Sequence, residues 1–209
     1  MTTPNRALIV IDAQQEYFDG LLPIQYPPRE ESIARIQSAI DAAEKAGVPV
    51  VIVQHELPAA APVFAAGSST HRNHPDIAAY EDRAALRIGK QYSSVFAGTG
   101  LADWLHEHNI DTITLVGYMT NNCVLASATA AEPLGLAVEV LSDATGAIDL
   151  ANDAGRAPAR NVHETLMALL HSNWAAVTTT DTWTNAVQAG EALDKSDLVT
   201  SAANGRANA

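Results

Sequence analysis

Short, unbroken apolar runs alternate along the chain with longer segments whose apolar residues recur every three or four positions. Ala7 to Ile11 is the first such run and stops at Asp12; Val48 to Val53 is the second, interrupted only by Pro49. Thr112 to Val116, ending at Gly117, is the third, followed by Leu136 to Leu141 and Ala175 to Thr180. Between them, Arg29 to Ala46 places Ile33, Ile36, Ile40 and Ala43 at helical spacing, and Gly47 stops it. Asn122 to Leu134 reads as a helix of small residues, and Val162 to Leu170 as another. Strands apolar on both faces and separated by helices predict a mainly parallel central sheet covered on both sides, a doubly wound three-layer α/β/α fold. Ligands of such sheets bind beyond the carboxyl ends of the strands. The positions to search are therefore Asp12, His55 and the turn from Gly117 to Cys123.

Two stretches break the pattern. Glu56 to Asp82 carries Pro58, Pro62, Gly67, Ser68, Ser69 and Pro75, and reads as a long loop over the strand ends. Residues 196–209 are polar, rich in small residues and without period. We read residues 1–195 as one domain and 196–209 as a flexible or subunit-contacting tail. The chain has 209 residues, 47% of them hydrophobic, enough for one core. Its net charge of -12 repels phosphate backbones and anionic lipids, which argues against nucleic acid and membrane surfaces as partners. A single cysteine excludes an internal disulfide, and no run approaches the ~20 apolar residues of a membrane helix. A cytoplasmic protein acting on a small molecule is expected.

Cys123 is the first candidate for chemistry. A lone cysteine is by default a small buried hydrophobe. This one follows a turn, Gly117-Tyr118-Met119-Thr120-Asn121-Asn122, and opens a helix. Free N–H groups at a helix start favour a thiolate and can hold an oxyanion, so the position predicts an activated thiol. Asp12, at the same strand edge, either caps a following helix or takes the thiol proton and returns it to a leaving amine. Lys90 lies between Gly89 and a Gln91-Tyr92-Ser93-Ser94-Val95-Phe96 segment, away from any charge run. A cation there would stabilise both the carboxylate and the thiolate.

Three blocks carry a resemblance: Ala7-Leu8-Ile9-Val10-Ile11-Asp12-Ala13-Gln14; Lys90 with Ser93, Ser94 and Phe96-Ala97-Gly98-Thr99; and Gly117-Tyr118-Met119-Thr120-Asn121-Asn122-Cys123-Val124. The chain resembles the isochorismatase-like cysteine hydrolases, among them nicotinamidases and N-carbamoylsarcosine amidases, over roughly Arg6 to Thr182. The resemblance implies a triad of Asp12, Lys90 and Cys123 acting through a thioester acyl-enzyme on a carbon–nitrogen bond. It also implies a cis peptide at Tyr118–Met119, an oxyanion hole from the backbone N–H groups of Met119 and Cys123, and a homodimer or homotetramer.

Nicotinamidases in this family hold a metal through an Asp-x-His motif after the second strand. Here that stretch reads His55-Glu56-Leu57, so no catalytic metal and no other cofactor is expected. His71, His74 and Asp76 are the remaining ligand types nearby, read as loop polarity or substrate contacts. Tyr17, Phe18, His55, Phe64, Tyr92 and Tyr118 are candidates to line the pocket. Trp104, beside Leu101 and Leu105, and His163 are read as packing. Two other functions remain open: an ether-cleaving isochorismatase using Asp12 and Lys90 with Cys123 as bystander, and a non-catalytic binder on the same fold.

Overall fold

The computed structural model describes residues 3–208. Its strands are β1 (Arg6–Ile11), β2 (Val50–His55), β3 (Leu86–Lys90), β4 (Thr112–Tyr118), β5 (Ala137–Gly146), β6 (Leu150–Asn152), β7 (Gly155–Ala157) and β8 (Ala176–Thr178). Its helices are α1 (Arg29–Ala46), α2 (Pro75–Ala78), α3 (Leu101–Glu107), α4 (Leu125–Ala131), α5 (Ala159–Asn173), α6 (Thr180–Ala189) and α7 (Leu198–Ala207). Six strands make one parallel sheet in the order β3-β2-β1-β4-β5-β8, while β6 and β7 form a separate antiparallel hairpin. The chain winds outward from β1 in one direction and from β4 in the other, so the switch point lies between β1 and β4.

The two-residue alternation of side chains in β1 explains the three layers. Ala7, Ile9 and Ile11 pack with Leu101, Leu105, Val124, Ala128, Met167 and Leu170 under α3, α4 and α5. Leu8 and Val10 face the opposite way, against Ile33, Ile36, Ile40 and Trp183 on α1 and α6. All five of these strand residues are fully buried, which is why the run reads as continuously apolar rather than alternating.

Several elements differ from their sequence patterns. The second strand starts at Val50, after Pro49, which has no N–H to give to the ladder. β3 is the outer strand; Arg87 and Gly89 are exposed, so it shows no unbroken apolar run. β5 runs on to Gly146, past a register shift that pairs Gly117 with Thr145. Residues 198–207, expected without regular structure, are helical. Asp197 caps that helix, its carboxylate accepting from the Thr200 N–H at 2.8 Å and the Thr200 hydroxyl at 2.7 Å. Leu198 and Val199 on α7 remain exposed.

A buried ion pair anchors the amino-terminal ends of the strands. Arg6 Nη2 donates to Glu139 Oε1 at 2.8 Å, and Thr114 Oγ1 and Trp183 Nε1 both donate to Oε2, at 2.7 and 2.9 Å. Both carboxylate oxygens are thus hydrogen-bonded, the condition under which a buried charge is tolerated.

Candidate active site

Four neighbouring strands each bring one side chain to the carboxyl edge of the sheet. Lys90 ends β3, His55 ends β2, Asp12 follows β1, and Cys123 lies in the turn after β4. Asp12 and Cys123 flank the switch point. Asp12 has a φ of 48°, a left-handed conformation that Asp accepts more readily than most residues, and its N–H donates to Val53 O at 2.9 Å. Gly117, at φ 102°, lies so close to β1 that a Cβ would overlap the Ile11 carbonyl. This close approach brings the β4 turn against Asp12. The Tyr118–Met119 peptide is cis, and Met119 O then accepts from the N–H groups of Asn122 at 3.1 Å and Val124 at 3.2 Å, forming a wide turn that leads into α4.

The Lys90 ammonium is the centre of the site. Its Nζ lies 2.7 Å from Asp12 Oδ2, 2.9 Å from His55 Nδ1, 3.1 Å from Tyr92 O and 3.3 Å from Cys123 Sγ. Both the Lys90 and Asp12 side chains are fully buried. Neither Asp12 oxygen makes a hydrogen bond among the described residues; Oδ2 is held by Lys90 as an ion pair. Burial raises the Asp12 carboxyl, and Lys90 draws it back down. Burial, followed by the nearby Asp12 charge, pushes the Cys123 thiol up to about 12, with Lys90 opposing. The turn position alone suggests a shift the other way; at 2% exposure burial is the larger influence on this thiol.

Second-layer contacts fix this geometry. Ser127 Oγ donates to Cys123 O at 2.6 Å and accepts from the Val95 N–H at 3.0 Å, joining the nucleophile turn to the segment after Lys90. Thr120 Oγ1 and His163 Nδ1 are 2.9 Å apart, so His163 supports the same turn from α5. Gln14, to which the sequence pattern assigns no role, is fully buried beside His55. Its amide donates to His55 O at 2.9 Å and His71 O at 2.6 Å and accepts from the His55 N–H at 2.8 Å. A polar residue two positions past a strand-end carboxylate was the signal available for it.

The aromatic candidates divide. Tyr17 is buried, close enough to Asp12 and Cys123 for their charges to raise its phenol further above its burial-shifted value. Phe64 packs at 5.3 Å from Tyr17 and 5.0 Å from His55, and Phe18 at 4.3 Å from His74. Tyr118 is buried in the core, its hydroxyl 2.7 Å from Ser32 Oγ on α1, and Tyr92 is exposed and reaches Lys90 through its backbone carbonyl. The loop after β2 is ordered: Glu16 N–H donates to Thr70 O, Gln15 N–H to Arg72 O and His74 N–H to Ala13 O, all at 2.8 Å.

The loop histidines do not converge. His71 Nε2 is 3.4 Å from Glu56, whereas His74 Nδ1 accepts from the Asp76 N–H at 3.3 Å and caps α2. Among the described residues, the ligand atoms that do converge are those of Asp12, His55 and Cys123, within 4.8 Å of one another. The Lys90 ammonium already contacts all three, which does not fit a metal ion among them.

A parallel sheet flanked by helices, with a buried carboxylate, ammonium and thiol at its switch point, defines an α/β protein carrying a triad-like cluster. Residues 6–182 match the isochorismatase domain model. The structure superposes with a TM-score of 0.97 on that of an isochorismatase-type protein from Burkholderia xenovorans LB400, at 46% identity over 99% of each chain. A secreted isochorismatase effector of Verticillium dahliae is 34% identical over 71% of this chain and 76% of its own. The maleamate amidohydrolase of Pseudomonas putida is 29% identical over 67% and 71%. The chain belongs to the isochorismatase-like hydrolase family. No helix among the described residues is long and apolar enough to cross a membrane.

Proposed function

We propose that this hydrolase cleaves a carbon–nitrogen bond, of amide or carbamoyl type, in a small molecule through a thioester on Cys123. The observation that carries the reading is the shared cation: Lys90 Nζ touches both Asp12 Oδ2 and Cys123 Sγ, while Asp12 Oδ1 has no partner among the described residues. A base and a nucleophile bridged by one ammonium suit proton transfer coupled to attack, which helps a thiol that burial holds above its ordinary range.

In this reading Asp12 takes the thiol proton as Sγ bonds to the carbonyl carbon. Lys90 stabilises the sulfur as its charge develops. The backbone N–H groups of Met119 and Cys123 receive the oxyanion. The tetrahedral intermediate collapses as Asp12 gives its proton to the departing nitrogen, releasing ammonia or an amine. Water, deprotonated by Asp12, then attacks the thioester; the carboxylic or carbamic acid leaves, and the sulfur regains its proton. The resemblance to an amidohydrolase supports this over ether cleavage.

Ammonia release from a panel of primary amides and N-carbamoyl compounds tests it, with mass spectrometry of quenched reactions to detect an acyl group on Cys123. Cys123→Ala is expected to lose at least ~10³-fold in turnover. Hydrolysis of a vinyl ether that survives in that variant would instead assign the chemistry to Asp12 and Lys90. Absence of turnover throughout, with retained ligand binding, would leave a binder.

A further inference from the structure

We infer that His55 is a positioning residue for Lys90: its neutral Nδ1 accepts a hydrogen bond from the ammonium and holds it between Asp12 and Cys123. The inference rests on the reading of Cys123 as nucleophile and Lys90 as its cation, and adds a residue to which that reading gives no role.

The argument begins with proton counting. An ammonium has three N–H donors, yet Lys90 Nζ has four acceptors within 3.3 Å. Its three hydrogen bonds go to His55 Nδ1, the Tyr92 carbonyl and Cys123 Sγ, while Asp12 Oδ2 lies beside them as an ion-pair contact. His55 and Tyr92 are the two of these groups that do not react, so they aim the ammonium between Asp12 and Cys123. His55 is the one such anchor whose side chain can be replaced, since Tyr92 contributes only its backbone.

His55 can accept only if its proton sits on Nε2, because the ring nitrogen that faces an ammonium must offer its lone pair. The surroundings enforce this. Burial, then Lys90, then His71 lower the His55 imidazole to about 4, so it stays neutral near pH 7. The groups facing it are Lys90, Asp12, Cys123, His71 and the Phe64 ring.

The backbone of His55 is held as firmly as its ring. Gln14 donates to its carbonyl and accepts from its N–H, a two-point clamp from a fully buried amide. Phe64 closes over the ring edge-on at 5.0 Å. A side chain fixed at backbone, ring face and Nδ1 is placed to aim a neighbour.

Asparagine and glutamine substitutions separate this role from a structural one. His55→Asn would put a carbonyl oxygen near the Nδ1 position, whereas His55→Gln would put it near Nε2; both keep a neutral polar group at the site. The readout is the rate of Cys123 alkylation by iodoacetamide between pH 7 and 10, measured on the full chain, with melting temperature recorded alongside. His55→Gln is expected to slow alkylation about tenfold at pH 9, because a misplaced Lys90 no longer opposes the burial of the thiol. His55→Asn is expected to rescue the rate to within about threefold of wild type. Equal rates in the two variants, whether both fast or both slow, would overturn the inference. Lys90→Ala serves as the control: if it also leaves alkylation unchanged, the failure lies with the triad reading rather than with His55.

Discussion

Lys90 Nζ lies 2.7 Å from Asp12 Oδ2 with both side chains fully buried, and this contact sets the electrostatics of everything around it. An ion pair removed from water is costly to hold ionised, yet breaking it by removing one partner costs more, because the remaining charge has nowhere to go. On the proposed mechanism the pair serves chemistry at the expense of stability.

Replacing either partner alone, as Asp12→Asn or Lys90→Met, is expected to destabilise the fold by about 3–5 kcal/mol, whereas the double variant is expected to melt at or above the wild-type temperature. In Lys90→Met the loss grows with pH. Burial raises the folded-state Asp12 pKa above its ordinary 3.8, so the protonated form is favoured in the fold. That stabilisation is complete below about 3.8 and disappears as pH rises through the folded value. Denaturation at pH 4 and pH 8 would check the sign; a variant equally destabilised at both would contradict it.

Asp12→Asn is also expected to separate thiol reactivity from turnover. The Asp12 charge is the second cause, after burial, of the raised Cys123 thiol, and Lys90 acts the other way. Removing the carboxylate lets the thiol titrate lower. Iodoacetamide should then react about tenfold faster near pH 8, while amide hydrolysis falls by ~10² or more for want of a base. Parallel losses of both would show that Asp12 positions the thiol rather than deprotonating it.

Gly117→Ala is expected to cost about 3 kcal/mol or more, from backbone strain at φ 102° and from overlap with the Ile11 carbonyl. Because the displaced element is the turn that carries Cys123, turnover should fall with stability. Chemical denaturation together with ammonia release would show both.

At the opposite end of the sheet, Glu139→Ala leaves the Arg6 guanidinium without its buried partner and is expected to cost about 3–5 kcal/mol. Its kcat/KM, measured well below the melting temperature, should stay within about threefold of wild type, because the pair lies at the far ends of the strands from the triad. A large kinetic loss would mean that the two ends of the strands are coupled.

The interior strands and the strand-end places of Asp12 and Cys123 were visible in the sequence as local signals, whereas the meeting of Lys90 with them came from the family resemblance. β3 escaped notice because an outer strand alternates, and α7 because its apolar residues stay exposed and form no stripe. The direction of the thiol shift was not legible either. A turn position can be read from neighbours in the chain, whereas the burial of Cys123 depends on what α4 and the segment after Lys90 pack against it. Tyr118 looked like a pocket residue for the same reason: its partner, Ser32, lies 86 positions away.

Lys90, His55, Asp12 and Cys123 arrive from four adjacent strands, so their spacing is set by the ladder, roughly one inter-strand step of 4.8 Å at a time. The segments that reach over them, residues 56–82 foremost, contribute shape but none of these four reacting or aiming groups. On the proposed mechanism, reaction chemistry therefore sits mainly on the sheet and molecular discrimination mainly on the segments over it. A graft of a different covering segment that keeps Phe64 and His71 would be expected to redirect which molecule is cut while leaving the four groups in register, a division that makes the scaffold modular.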